Sequence, residues 1–182
     1  MKNPIQRIAK NGILLALMCV MGMFSIPFAD NVKVSLQLYM VFVICLLCDA
    51  FYDAMIITGC YLLIGLFLPV YAGFASGISP TFGFVIGFVV ASPVIYFMNR
   101  IPRIPRAVRM ALACLAGTLI VYIAGTMFMM LYLNWDIGKT LMVSVVPYLG
   151  FDAVKIVLAI LTVLAMPSFI NHERKTPSDR PE

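Results

Sequence analysis

The chain has 182 residues, of which 63% are hydrophobic and 12% charged, and its formal net charge is +5. So much apolar surface exceeds what one core of this size can hide from water, which excludes a soluble globular domain and points to an integral membrane protein. The excess positive charge lies in short clusters rather than in a broad basic face, so no nucleic-acid partner is expected.

At the N-terminus, Lys2, Arg7 and Lys10 precede the apolar run GILLALMCVMGMFSIPF. The order basic then apolar also begins a secretory leader, but no small-residue cleavage site follows, so the run is read as a retained first span over residues 11–28. Asp30 and Lys33 fall in the connection after it and are read as solvated loop charges. In VKVSLQLYM, Ser35, Gln37 and Tyr39 alternate, as they would in an extended segment or the first turn of a helix. Simple helix-end polarity explains that alternation as well as a binding role does.

Spans two and three are expected over 34–51 and 53–68, joined by a tight turn flanked by Asp49 and Asp53, where carboxylates are cheaply solvated. Cys45 and Cys48 spell C-x-x-C inside an apolar helix with no preceding strand, which favours buried thiols over a redox pair. Ala54 to Asn99 contains no Asp, Glu, Lys or Arg and is too long for one span, so it must fold back. Pro69, Gly73, Gly77 and Pro80 place the break at FLPVYAGFASGISPTFGF. A fourth span is then expected over 80–98.

NRIPRIPRAVR gathers Arg100, Arg103, Arg106 and Arg109 in a compact turn, read as a topology signal in contact with anionic lipid. Spans five and six follow over 109–134 and 142–170, with Asp136 and Lys139 between them as solvated loop charges. Ten of the thirteen Lys and Arg precede span one, separate spans four and five, or follow span six, where Arg174, Lys175 and Arg180 lie. Six spans put all three groups on one side, which the positive-inside rule makes the cytoplasm. Both termini are therefore expected there, with residues 29–33, 69–79 and 135–141 outside. The spans fill the chain as a single membrane domain.

Charges within a span are costly and ask what offsets them. In VPYLGFDAVKIVLAI, Pro147 suits a first helical turn, and Asp152 and Lys155 stand three apart on one face. Two readings stay open: a self-neutralising structural pair, or a site whose carboxylate accepts and whose ammonium donates to a ligand. Enzyme chemistry finds little support. The single histidine, His172, lies past the last span, no spacing suits a metal, and no phosphate loop is present.

VKVSLQLYMVFV, YLLIGLFLPVYAGFASGISPTFGFVIGF, AGTLIVYIAG and LGFDAVKIVLA, in this order over about residues 12–165, together resemble the biotin-specific S component of energy-coupling-factor (ECF) transporters, the BioY family. The resemblance implies an all-α, six-helix S-component bundle with cytoplasmic termini in the cell membrane. It implies capture of biotin, as substrate and without a cofactor, in a cavity near the outer face. Asp152 and Lys155 match the ligand-contacting Asp and Lys, Gln37 the glutamine after loop 1, and Tyr71, Ala72 and Gly73 the aromatic-Ala-Gly stretch of loop 3. Ser35 stands beside them, and Tyr71, Phe74 and Phe82 are available to cover biotin's apolar parts.

The resemblance further implies that an ECF coupling protein and an ATPase pair supply energy, that loops 1 and 3 close over biotin, and that the bundle topples to release it inward. Span one is the docking surface expected for the coupling protein, with Gly12 and Ala16 as a small-x-x-x-small face; such spacing is equally compatible with a face turned to lipid. Two departures stand out: Gly150-Phe151 replaces the usual Pro-Gly before the span-six aspartate, expected to touch the pocket, and the acidic CDAFYDA replaces a Gly-rich turn. The first makes a different vitamin or a biotin precursor the alternative substrate.

Overall fold

The computed structural model describes residues 4–29 and 32–166, with backbone alone over 26–29 and 32–33. The order is α1 (Pro4–Met23), β1 (Ser25–Ala29), β2 (Val32–Ser35), α2 (Gln37–Leu47), α3 (Phe51–Phe67), α4 (Phe82–Met98), α5 (Arg106–Leu133), α6 (Ile137–Ser144), a 3-10 turn over Val146–Tyr148, and α7 (Leu149–Ala165). Counting α6, the turn and α7 as one broken rod of 29 residues, the protein is a six-helix bundle.

α2 is apolar on every side and sits in the middle, contacting α1, α3, α4 and α7, as its composition requires. α4 and α5 make the closest pair. A Cβ at Gly87 would lie 2.9 Å from the Val121 Cα, so only a glycine lets the two backbones approach this far. α1 is peripheral: Leu14, Met18 and Gly22 face inward, while Ile5, Ile13, Leu17 and Val20 are exposed. Large apolar side chains also cover the outer faces of α3, α5 and α7, the surface a bilayer would solvate. This is a membrane protein.

Three boundaries differ from expectation. The first span was expected to stay helical to residue 28; α1 ends at Met23, and residues 25–29 instead pair antiparallel with β2. Pro27 cannot continue a helix and disfavours helical backbone at Ile26, so the strand is the local solution. The sixth span, expected over 142–170, breaks at Val145, and Pro147 opens the turn that re-aims α7. Asp136 is no mere loop charge: its carboxylate accepts from the Gly138 N–H at 2.9 Å and caps α6, while Lys139 lies 4.2 Å over the Trp135 ring. Asp30, His172, Arg174, Lys175 and Arg180 fall outside the described residues, as does the side chain of Lys33.

The α2–α3 turn also departs from the expected cheap solvation. Asp53 is only 3% exposed, and both its oxygens accept from Arg7 Nε, at 3.0 and 2.9 Å, with Asn11 Nδ2 as a second donor at 2.9 Å. Lys10 donates to the Leu47 carbonyl at 2.7 Å, closing the C-terminus of α2, and lies 3.3 Å from Asp49. The basic start of α1 is thereby bolted to the α2–α3 turn.

Candidate functional site

The helix ends away from that turn enclose a cavity of about 370 Å³. From the β2–α2 junction come Ser35 and Gln37. Ser35 Oγ donates to Gln37 Oε1 at 3.2 Å, Gln37 Nε2 donates to the Tyr61 hydroxyl at 2.5 Å, and Tyr61 donates to the Val70 carbonyl at 2.9 Å. Gln37, buried like Tyr61, keeps one amide N–H unspent in this chain of bonds. Tyr39, the third residue of the alternation, turns away and bonds Thr162 on α7.

The segment between α3 and α4 forms one side of the cavity. Gly73 and Phe74 have φ of +72° and +60°, which reverses the chain so that Tyr71 N–H reaches the Ala75 carbonyl at 3.0 Å. Gly73 N–H bonds the Met23 carbonyl and Gly77 N–H the Gly65 carbonyl, so this non-helical backbone is tied to α1 and α3. Tyr71 lies against the bare face of Gly65, donates to the Leu62 carbonyl at 2.6 Å, and packs edge-on against Tyr61 and at a tilt against Phe82. A Cβ at Gly65 would overlap that ring. Gly65→Ala is therefore expected to push Tyr71 and its loop off the cavity and weaken ligand binding by roughly tenfold, the equivalent of one lost buried hydrogen bond with its packing. Titration calorimetry on the variant measures it.

The opposite wall comes from α5, the 3-10 turn and α7. Asp152 and Lys155 are 5% and 6% exposed, and Lys155 Nζ donates to Asp152 Oδ1 at 2.6 Å. Tyr122 on α5 donates to the other oxygen, Oδ2, at 2.5 Å. Each carboxylate oxygen keeps a second lone-pair direction, and the ammonium has used one of its three N–H groups among the described residues. The site thus offers an acceptor and a donor side by side in a chamber whose lining also includes the apolar Val85, Phe88, Val121 and Met129.

Of the residues singled out from sequence, Ser35, Gln37, Tyr71, Ala72, Phe82, Asp152 and Lys155 meet at this one cavity. Gly73 does not line it, and Phe74 is 64% exposed and points outward. Gly150 and Phe151 do not line it either; Gly150 is exposed, with open space where a Cβ would stand, so this departure does not touch the pocket as expected. Tyr122, Ser144 and Tyr148 line the wall without having been singled out. A phenol in a charge-free span needs a buried partner, which was the available signal for Tyr122. Gly12 and Ala16 lie together on the exposed face of α1.

Comparison with known proteins agrees with this architecture. A family model described as the BioY family matches residues 1–172. The biotin transporter BioY of Thermotoga maritima is 30% identical over 167 residues, covering 89% of this chain and 96% of that protein. A probable biotin transporter BioY of Pyrococcus horikoshii is 31% identical over 94 residues, 52% of this chain and 55% of that one. The crystal structure of the S-component for biotin from an ECF-type ABC transporter superposes with a TM-score of 0.80 over 92% of this chain and 95% of that chain, at 19% identity.

Proposed function

This chain belongs to the BioY family, and from that premise we propose that it is the substrate-capture subunit of a biotin uptake transporter. The observation that carries the reading is the convergence of a buried Asp152–Lys155 pair, Gln37 and Tyr71 on one cavity whose size falls within the range of about 300–1,000 Å³ common to small-molecule sites. The protein is a binding subunit and not an enzyme; partner ATPases would supply the energy.

Biotin carries a ureido ring with two N–H donors and a carbonyl acceptor, an apolar thioether ring and chain, and a carboxylate. Asp152 and Lys155 together match the ureido edge: the aspartate accepts an N–H and the ammonium donates to the carbonyl. Biotin's own carboxylate would meet repulsion from Asp152, so it lies toward the lid, near Gln37, Ser35 and the loop backbone. Phe82 and Tyr71 cover the thioether ring, with Ala72 and Gly73 forming the turn that lets the lid close. Analogues test this orientation. Biotinamide, with its carboxylate neutralised, is expected to retain sensitivity to Asp152→Asn, whereas 2-iminobiotin, which alters the ureido end, is expected to lose binding to the wild-type protein. Full binding of 2-iminobiotin would reverse the orientation.

The bundle sits in the cell membrane as a multi-pass protein whose six spans are the helices α1 to α5 and the broken rod of α6, turn and α7. The cavity end faces outward and both termini face the cytoplasm, following the placement of Lys and Arg. Gly12 and Ala16, on the unencumbered face of α1, offer a close-approach surface for a helix of the ECF coupling protein, which joins an ATPase pair. Gly150-Phe151 lies off the cavity, which removes the reason to prefer another vitamin.

A further inference from the structure

Behind the cavity wall one buried hydroxyl stands where several elements meet. Tyr61 on α3 is fully buried and is not among the residues that line the cavity, yet its hydroxyl bonds Gln37 at the start of α2, which does line it. The same hydroxyl reaches the Val70 carbonyl, in the segment after α3, at 2.9 Å. From α1, Gly22 turns bare backbone toward both groups: a Cβ there would overlap the Tyr61 hydroxyl and lie 2.6 Å from the Val70 oxygen. One residue on, the Met23 carbonyl accepts from the Gly73 N–H, so the end of α1 and the α3–α4 segment are joined at this point.

Proton counting gives this junction a direction. A carbonyl only accepts, so the single proton of the Tyr61 hydroxyl goes to Val70, and toward Gln37 the phenol oxygen can only be an acceptor. A side-chain amide has a donor end and an acceptor end of nearly the same shape, and its own sterics do not choose between them. Here Tyr61 makes the choice: Gln37 Nε2 turns to the phenol, and Oε1 is left to accept from the Ser35 hydroxyl at 3.2 Å. What Gln37 then has for a ligand is the second N–H on Nε2 and a second lone pair on Oε1.

We infer that Tyr61 and Gly22 are positioning residues for the ligand site. The Val70 carbonyl fixes the Tyr61 proton, Tyr61 fixes which end of the Gln37 amide is which, and the amide so oriented offers an N–H to the ligand carboxylate. Gly22 leaves the space in which the phenol lies, so α1 acts on the ligand site without touching the ligand. The inference rests on the orientation proposed above, in which biotin's carboxylate lies near Gln37. It also predicts a selectivity: a carboxylate needs the donor end of the amide, whereas a carboxamide carries a donor and an acceptor of its own and pairs with either end.

Titration calorimetry with biotin and biotinamide on the full-length wild-type protein, Tyr61→Phe, Gln37→Leu and the double variant tests the role. Tyr61→Phe is expected to weaken biotin about fivefold, the effect of one misdirected hydrogen bond, and biotinamide less than about twofold. In the Gln37→Leu background Tyr61→Phe is expected to cost biotin nothing further, because a residue that acts through Gln37 has nothing left to orient. Gly22→Ala, which removes no polar atom, is expected to repeat the pattern of Tyr61→Phe and serves if that variant fails to fold. An equal loss for both ligands, or a loss in the Gln37→Leu background as large as in the wild type, would make the role merely structural and overturn the inference. Full biotin affinity in Gln37→Leu would overturn it by removing the contact through which Tyr61 acts. Wild-type protein that binds neither ligand would instead overturn the biotin reading itself.

Discussion

Lys155→Ala is expected to weaken biotin binding by roughly two to three orders of magnitude and to lower thermal stability at the same time. The substitution leaves the Asp152 carboxylate buried with Tyr122 as its remaining donor, and removing one member of a buried pair costs about 3–5 kcal/mol. Asp152→Asn is expected to be nearly as severe for binding, because in the proposed orientation the ureido N–H loses a charged acceptor, and Lys155 loses its counter-ion. The two readings of the pair left open by the sequence separate in the double variant Asp152→Leu/Lys155→Met. Apolar replacement of both partners is commonly neutral or stabilising, so the melting temperature should return to the wild-type value or above it. A purely structural pair would then bind biotin normally, whereas a ligand-contacting pair would leave a stable protein that binds none. Equilibrium binding and thermal melting on the same three preparations distinguish them.

The second large effect lies at the other end of the molecule. Arg7→Ala is expected to destabilise the bundle by about 2–3 kcal/mol, less than for a fully enclosed pair because the arginine side chain is 30% exposed while that of Asp53 is 4% exposed. Among the described residues Asp53 would keep only Asn11 as a side-chain donor, and α1 would be held to the α2–α3 turn by Asn11 and Lys10 alone. Biotin affinity should not change, since the cavity is formed at the opposite helix ends. A thermal melt combined with a binding isotherm checks both halves of the expectation, and a parallel loss of affinity would show that the two ends are energetically coupled.

The features that were legible in the sequence share one physical basis, namely charge or chain-breaking residues in an apolar background. Asp152 and Lys155 were visible because nothing else in that stretch is charged, and their three-residue spacing placed them on one helical face. Pro69, Gly73, Gly77 and Pro80 located the break between α3 and α4 for the same reason. Hydropathy alone misjudged Phe24–Ala29, since an apolar strand and an apolar helix have the same composition, although Pro27 already argued against helix there. Asp136 was read as a solvated charge when its position ahead of an apolar run marked a helix cap.

Contacts across the bundle were less accessible. Tyr122 meets Asp152 thirty residues away, and Arg7 meets Asp53 forty-six residues away; each partner's need was apparent but its identity depended on packing. Gly65 shows the limit most clearly. Its role is to be absent where the Tyr71 ring lies, and a missing side chain leaves no pattern to read. The family resemblance supplied Gln37, whose bonds to Ser35 and Tyr61 then explain why an amide is held at the cavity wall.

The central claim is that this bundle captures biotin. Saturation binding of labelled biotin to the detergent-purified wild-type chain, with riboflavin and thiamine as competitors, tests it most directly. Saturable binding of one biotin per chain, undisturbed by either competitor, is the predicted result. A folded protein that binds no biotin, or one from which riboflavin or thiamine displaces it, would contradict the account.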